Sequence, residues 1–563
     1  MTANASSSSV ISRPDTQPDT QALLDVDLVA AHFLGPLPSA WLAGRDLDLL
    51  EPLRFLGPGG LPPLSPQPKT AADRRELSGA LAVANRGYGH PGADRLAARL
   101  ADPAVRVVVS GQQPGLLGGP LFTLAKMVAV SRWAAALEEA GEPAVAVFWV
   151  ATEDHDWAEV SSTTVLGADG PRSFDLGPDP EPLVPVGMRT LGPGVEEVLR
   201  GIAEAVPGER YADWLRTLAQ WYRPDARFGE AFCRLAAHLL GDRCPLLLDA
   251  MLPALKSAER PWLRRLVERR DRLEEEQARR DAAVAAKGYP LQVHPQRGAG
   301  PLFLFRHGGR RRVEWRGADG FALRGREDGA GTVAELLEAI EENPGAVSPG
   351  VLARPAVQDA VLGTTIQVVG PGELAYMAQA AVTHAVLEVE PTVVALRPQT
   401  LVLETKQIQR LEELGLPLAT LLGDRGALDR WLAERDGGDL VGPVRRRVEE
   451  ALAELRGPAV GADPGLERPF EKTREQILHA LDVFGEKAVA AAARKNEVVS
   501  RRVQQLRDAA VPGGKLQERT VSSAHFPGKY GPDLTESYWE QMELDAVHLQ
   551  VITPGERSSG DRP

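Results

Sequence analysis

VRVVVSGQQPGLLGGPLFTLAK, residues 105–126, reads as a strand, a glycine-rich turn and the start of a helix in one stretch. Residues 105–109 are almost all β-branched and apolar, the pattern of a strand buried on both faces. Gly111, Gly115, Gly118 and Gly119 follow as a turn. Pro120 suits the first helical position, where a missing N–H costs nothing. Leu121, Phe122, Leu124, Met127, Val128 and Trp133 continue the helix, and a second apolar strand over 145–150 runs into Glu153-Asp154-His155-Asp156. This is a βαβ unit, and ligands of open α/β sheets bind beyond the carboxyl ends of the strands.

The theme returns further on. Residues 364–369 read as a strand, Gly370-Pro371-Gly372-Glu373 as a turn, 374–387 as a helix and 392–396 as a strand. Two such units imply the halves of one doubly wound sheet. An apolar run over 245–248 ends in Asp249 as another strand followed by acid. Between the halves, 256–287 reads as one long charged helix with a solvated face. Short strands at 302–305, 312–315 and 321–323 read as a small antiparallel insertion, and Thr332 with Glu335 fits a capping box. SSTTVLG and RSFDLG read as short strands. Residues 470–510 form one long helix candidate with a seam at Ile477, Leu481, Phe484, Ala488 and Ala491 that slips phase at Val498 or Val499 to Val503 and Leu506, suited to a helical hairpin or coiled coil. GGKLQERTVSSAHFPGKYGPD reads as an irregular tail before an apolar stretch at 547–552.

The 563 residues allow about 3 to 4 domain-sized units. A net charge of −13 argues against a general nucleic-acid binder. Two cysteines, Cys233 and Cys244, exclude a disulfide scaffold and read as buried thiols. Residues 1–20 carry no basic start and no apolar run, so they read as a disordered tail rather than a signal peptide, as do the closing ERSSGDRP. No stretch is apolar for long enough to span a membrane. The expectation is a cytoplasmic protein without nucleic-acid or membrane partners. The division reads as 21–255, first half of the core with an N-terminal mantle; 256–330, insertion; 331–400, second half; 401–512, helical hairpin or coiled coil; and 513–563, a C-terminal segment.

Three places carry candidate chemistry. The first turn lacks the Gly-Lys-Ser/Thr ending of a P-loop, yet N–H groups at a helix start favour an anion. Gln112, Gln113, Gly115, Gly119, Thr123 and Lys126 are its candidate binding residues. The run from Glu153 must be solvated, paired or bound to ligand. His155 with Asp154 or Asp156 fits a general base, Glu153 a binding role. The alternatives are a metal site, or Asp156 as a cap with Glu159 three residues on. Gly370, Gly372, Glu373 and Tyr376 belong to the second turn, which also suits an ordinary helix start because acid complements the dipole there.

Read together, SGQQPGLLGGPLFTLAK, FWVATEDHDWAEV, RPAVQD, GPGELAYMAQ, LQER and KYGPD resemble the BshC family, the cysteine-adding enzymes of bacillithiol biosynthesis, over about residues 21–555. The resemblance implies an α/β, Rossmann-type core like that of class I aminoacyl-tRNA synthetases, with connecting insertions and a C-terminal α-helical coiled coil. It also implies a homodimer and nucleotide binding near the coiled coil. The implied reaction joins L-cysteine to the amine of glucosaminyl-malate, with ATP/ADP as the suspected cofactor and no metal beyond nucleotide-bound Mg. The synthetase His-x-Gly-His motif is replaced here by Gly-Gln-Gln-Pro-Gly, so the route of carboxylate activation stays open. Two other readings are a nucleotide-binding scaffold that docks a separate catalyst, and a metal-dependent hydrolase built on 153–156.

Overall fold

The computed structural model describes residues 20–57, 64, 74–294, 296, 298–326, 328–437, 441–495, 497–544 and 547–555. The two tails expected to be disordered lie outside these residues, apart from Thr20, as does most of the Gly/Pro-rich connection LGPGGLPPLSPQP. The chain divides into two compact units, one of 1–26 with 404–507 and one of 27–403 with 508–563.

The larger unit is built on a six-stranded parallel sheet. Its strands are β1 (Arg54–Leu56), β2 (Arg106–Gln112), β3 (Ala144–Val150), β4 (Leu246–Asp249), β5 (Thr364–Val369) and β6 (Val393–Leu396), in the order β1-β6-β5-β2-β3-β4. Alternate residues of the strands feed two different cores. Val108, Ala146, Phe148, Leu247 and Ile366 pack with helix α1 (Leu121–Glu139) on one face. Val107, Val109, Val147, Trp149, Leu246 and Leu248 pack on the other, with Leu77, Leu81, Leu100 and Leu255. Burial on both faces is why these strands read as unbroken apolar runs. Each such side chain contributes about 1.5–3 kcal/mol.

From β2 the chain steps to β3 and β4 on one side, while β5 and β6 lie on the other. The order therefore reverses between β2 and β5. Gln112, Val150 and Asp249 lie in register at the carboxyl edge, and Val369 pairs with Leu396 across the neighbouring strands. Helix α2 (Pro253–Glu268) follows β4, and helix α3 (Pro371–Leu387) joins β5 to β6.

Four sequence expectations change. The charged segment 256–287 is two helices, α2 and Arg270–Ala286, and α2 buries Lys256 and Glu259 rather than presenting a solvated face throughout. The insertion strands form a five-stranded antiparallel sheet that continues past residue 330 through Gly331–Thr332 and Val347–Pro349. Its alternation buries Leu302, Leu304 and Val313 and puts Phe303, Arg310, Arg312 and Ser348 on the opposite face. The tail after 513 holds three short helices, Gln517–Thr520, His525–Tyr530 and Asp533–Gln541, and strand Gln550–Ile552, which pairs with Thr400–Val402. Its polar residues are polar because they satisfy buried backbone: Gln517 accepts from Val402 N–H and donates to Val402 C=O.

The smaller unit contains an antiparallel helical hairpin, Gly442–Ala462 and Glu467–Lys495, crossed by the ion pairs Arg445–Asp482 and Arg456–Glu471. The fourth change is here. Val503 and Leu506 of the seam are buried, but further up Leu478 is buried while Ile477 is 36% and Phe484 62% exposed. The helix expected over 470–510 is described as Glu467–Lys495 and Glu497–Ala510 on either side of residue 496.

Candidate active site

A cavity of about 500 Å³ opens at the carboxyl edge of the sheet, where the strand order reverses. Gln112 and Gln113 enter it from the end of β2, Asp154 and His155 from the turn after β3, and Gly370, Gly372, Glu373 and Tyr376 from the turn after β5 and α3. The insertion sheet supplies Phe303, Arg310 and Arg312 from its pocket-facing side. Arg354, Arg397 and Arg519 complete the wall. Six cationic side chains meet four carboxylates here, in a chain of net charge −13. The cavity is therefore the place for an anionic or zwitterionic ligand.

Lys126 is buried beneath the two turns. Its Nζ donates to Gly111 C=O at 2.7 Å, to Gln112 Oε1 at 3.0 Å and to the Glu373 carboxylate. Burial outweighs Glu373 and holds the ammonium below its usual range. Burial works against Glu373 too, but Lys126 and the Gly370 N–H hold that carboxyl below its ordinary value. Arg354 hydrogen-bonds Tyr376, whose phenol burial pushes up to about 12. Arg354 is held in turn by Gln358 at 2.8 Å, Gln358 touches Asp359, and Asp359 meets His384 at 2.9 Å. This chain gives the RPAVQD block its physical reason. Arg397 makes a two-pronged pair with Glu518 at 2.7 and 2.6 Å, which does the same for LQER.

The acidic run does not converge. Glu153 turns under the pocket to Lys256, which also bonds Glu259 at 2.9 Å. Asp156 caps helix Trp157–Val160 by accepting from Glu159 N–H at 3.3 Å. The catalytic expectation for Asp156 gives way to its capping alternative, while Glu153 lines the pocket with its carboxylate paired to Lys256. Asp154 alone keeps pocket partners, Gln113 at 3.1 Å and Arg310 at 3.3 Å. Among the described residues no group of three or more His, Cys, Asp or Glu is placed to hold an ion.

His155 lies against Arg310, whose Nη1 is 3.3 Å from His155 Nδ1. Burial and then Arg310 hold the imidazole below its usual range. The same Nδ1 lies 3.5 Å from Asp154 Oδ1, so the ring stands between a guanidinium donor and a carboxylate acceptor.

The first glycine turn is not an anion cradle. The C-terminal segment covers it: Gly119 C=O accepts from Ser523 N–H, Leu117 C=O from Ser522 Oγ, and Leu121 N–H donates to Val521 C=O. Gly118 N–H donates to Tyr222 and Gly119 N–H to Leu116 C=O. Gly115 and Gly119 serve close packing, because a Cβ on Gly115 would stand 2.7 Å from Gly119 Cα. Thr123 is fully buried beside that turn, its hydroxyl without a partner among the described residues. Gly115, Gly119 and Thr123 therefore lie outside the pocket. Guanidinium groups supply the donors instead.

Sequence reasoning missed Arg310, Arg312, Arg354, Arg397 and Arg519, and gave Glu159 no chemical part. Glu159 sits at the pocket and accepts from Gln112 Nε2 at 2.7 Å and Gln113 Nε2 at 2.9 Å. Its side chain is exposed at the pocket mouth, and partial loss of hydration, then Asp156 and Asp154, raise its carboxyl to about 7. Four buried side-chain atoms of pocket-lining residues have no partner among the described residues, the acceptor Gln113 Oε1 and the donors Trp149 Nε1, Arg312 Nε and Arg397 Nε.

Comparison with known proteins decides the lineage. Residues 64–398 match the family described as "Bacillithiol biosynthesis BshC, N-terminal Rossmann-like domain", and residues 400–553 match its "C-terminal coiled-coil domain". The chain belongs to the BshC family. A protein of Solibacter usitatus named "Putative cysteine ligase BshC" is 30% identical over 81% of this chain and 86% of its own length. One of the same name from Salinibacter ruber is 29% identical over 86% and 89%. A solved structure named as a putative arginyl tRNA synthetase from Campylobacter jejuni aligns over 75% of this BshC chain and 94% of its own, at 8% identity and a TM-score of 0.24. The BshC blocks quoted from the sequence map onto the pocket wall: GQQPG supplies Gln112 and Gln113, DHDWAE supplies Asp154, His155 and Glu159, GPGE the second turn, and RPAVQD and LQER supply Arg354 and Arg519.

Proposed function

We propose that this protein joins the carboxyl group of L-cysteine to the amine of glucosaminyl-malate, with ATP cleavage driving the step, as the last reaction of bacillithiol biosynthesis. Family membership and the relatives' names support the cysteine ligase class. The observation that carries the reading is the pocket's unmatched polarity. Buried donors on Arg312 and Arg397 suit carboxylates, and the free Gln113 Oε1 beside Asp154 and Glu159 suits an amine. Glucosaminyl-malate offers both, with a dicarboxylate at one end and an amine at the other. Arg312, over the Phe303 ring at 5.8 Å, takes the malate end, and the acidic floor takes the amine.

A nucleotide phosphate fits the pocket through guanidinium groups such as Arg519 and Arg397 rather than through the closed glycine turn. Bound ATP, with its Mg, supplies the activation that turns the cysteine carboxylate into an acyl donor. The protein's own residues bind and orient the two substrates. A cytoplasmic homodimer is part of the same reading, supported by Phe484 and Val498 standing exposed on the helical unit. No described helix is long and apolar enough to cross a membrane.

The test is reconstitution. Purified protein incubated with cysteine, glucosaminyl-malate and Mg-ATP gives bacillithiol by mass spectrometry and none without ATP. Product that forms only when a second protein is added supports the scaffold reading instead. Light scattering reads the oligomer.

A further inference from the structure

We propose that Glu159 is the catalytic base that takes the proton from the attacking amine, and that Gln112 and Gln113 exist to aim it. The inference rests on the ligase reading and adds the proton acceptor that reading lacks. Joining an amine to an activated acyl group requires the nitrogen to shed a proton. The nitrogen lone pair attacks the carbonyl carbon, the C–N bond forms, and the ATP-derived leaving group departs with its bonding electrons. The N–H proton must then pass to a side chain in the pocket.

The candidates reduce by geometry. His155 Nδ1 is wedged between Arg310 Nη1 at 3.3 Å and Asp154 Oδ1 at 3.5 Å. Asp154 is held by Arg310 and Gln113. Glu373 is paired with Lys126 and the Gly370 N–H, and Glu153 with Lys256. Glu159 is the pocket carboxylate with no cation bonded to it among the described residues. Its partners are two neutral amides, one on each oxygen. Two amides hold a carboxylate in place without neutralising it, so each oxygen keeps a lone pair for a proton.

The surrounding charges agree. Asp154 and Asp156 face Glu159 from its own loop, Lys126 from α1, and Glu373 and Tyr376 from α3. The strongest two are acids, and after burial they help to place the carboxyl at about 7, where a base both accepts and releases protons readily. The choice of Gln-Gln after β2 follows. A Lys or Arg there would pin Glu159 as an ion pair, and an apolar residue would let it swing to solvent.

The test uses the full chain and two readouts. In the first, Glu159→Gln lowers kcat at saturating glucosaminyl-malate ~10²–10⁴-fold with an unchanged melting temperature. Wild-type kcat rises with pH through about 7. His155→Asn keeps that limb and Glu159→Gln loses it. Gln113→Ala moves it upward, because a donor to the charged form is gone. The second readout needs no turnover. Glucosaminyl-malate is titrated into the protein at pH 7 in buffers of different ionisation enthalpy. Binding of the cationic amine drives a proton off Glu159 in the wild type and not in Glu159→Gln. Equal proton release from both, or a kcat limb that survives Glu159→Gln, overturns the inference while leaving the ligase reading intact. Glu159-dependent proton release without any product overturns the ligase reading and leaves Glu159 as the group facing the amine. Absence of binding to the wild type overturns both.

Discussion

Two lysines lie buried under the pocket, and they are held in opposite ways. Lys126 of α1 has one carboxylate, Glu373, and two neutral acceptors, and burial wins, so its ammonium sits below the usual range. Lys256 of α2 has two carboxylates, Glu153 and Glu259, which together outweigh burial and hold it above. The difference lies in the number of counter-charges. It also separates a charge at the edge of the pocket from one sealed beneath it. Glu373 reaches the cavity, whereas Glu259 is fully buried and is pushed up to about 7, by burial before anything else.

The most severe way to break this contrast is Lys256→Met. It strands two carboxylates in the core, and removing one partner of a buried pair costs about 3–5 kcal/mol. Thermal unfolding should show a large loss, and a melting temperature near wild type would refute the buried triad. Lys126→Met should cost less, about 1–3 kcal/mol, since Glu373 keeps the Gly370 N–H and the cavity. A loss as large as that of Lys256→Met would mean the two sites are equally sealed.

Arg312→Met separates binding from stability. Arg312 is partly buried, its Nε has no partner among the described residues, and Arg324 and Arg310 press on its charge. Its removal should weaken glucosaminyl-malate binding ~10-fold, the value of a charge-assisted bond of about 1.5–3 kcal/mol. The melting temperature should hold or rise. Calorimetric affinity unchanged by this variant would remove Arg312 from the ligand.

Glu259 sharpens the comparison through pH. Its folded value of about 7 lies above the ordinary 4.5, so the folded state holds a proton that the unfolded state has released. Its contribution to stability is full below about 4.5 and is lost as pH rises through about 7. The wild-type melting temperature should therefore fall relative to Glu259→Gln across that window. A constant difference between the two would show that Glu259 is ionised throughout. The smallest effect belongs to Thr123→Val. The hydroxyl is buried and unpartnered, so stability and affinity should both stay near wild type. A clear loss of binding would restore Thr123 to the site.

The sheet was legible because its strands are buried on both faces, and continuous apolar runs such as 145–150 have few other readings. The two glycine turns were legible as turns, and their meeting at the switch point followed from chain order. The use of the first turn was not. Its N–H groups look free in a local reading, and the residues that cover the turn, Val521 to Ala524, lie about four hundred positions away. The arginines were hidden for the same reason. Arg310, Arg354, Arg397 and Arg519 come from four separate segments and share no spacing. Asp156 was legible as a cap from Asp-x-x-Glu, but the same charged run also looked like a site. The C-terminal segment read as loop because Gln517 and Glu518 are polar, and both turned out to be buried partners of Val402 and Arg397.

That long-range grip of Glu518 on Arg397 has a consequence for how the protein is made. A nascent chain that has emerged as far as residue 403 already contains all six strands of the parallel sheet. It still has Arg397 without its carboxylate, the first glycine turn uncovered, and Thr400–Val402 without its partner strand. The ribosome must deliver the hundred-odd residues of the helical unit before the segment that closes the pocket appears. A prematurely terminated product would therefore carry an open, unfinished binding site, and would offer quality-control proteases a target that the full-length chain conceals.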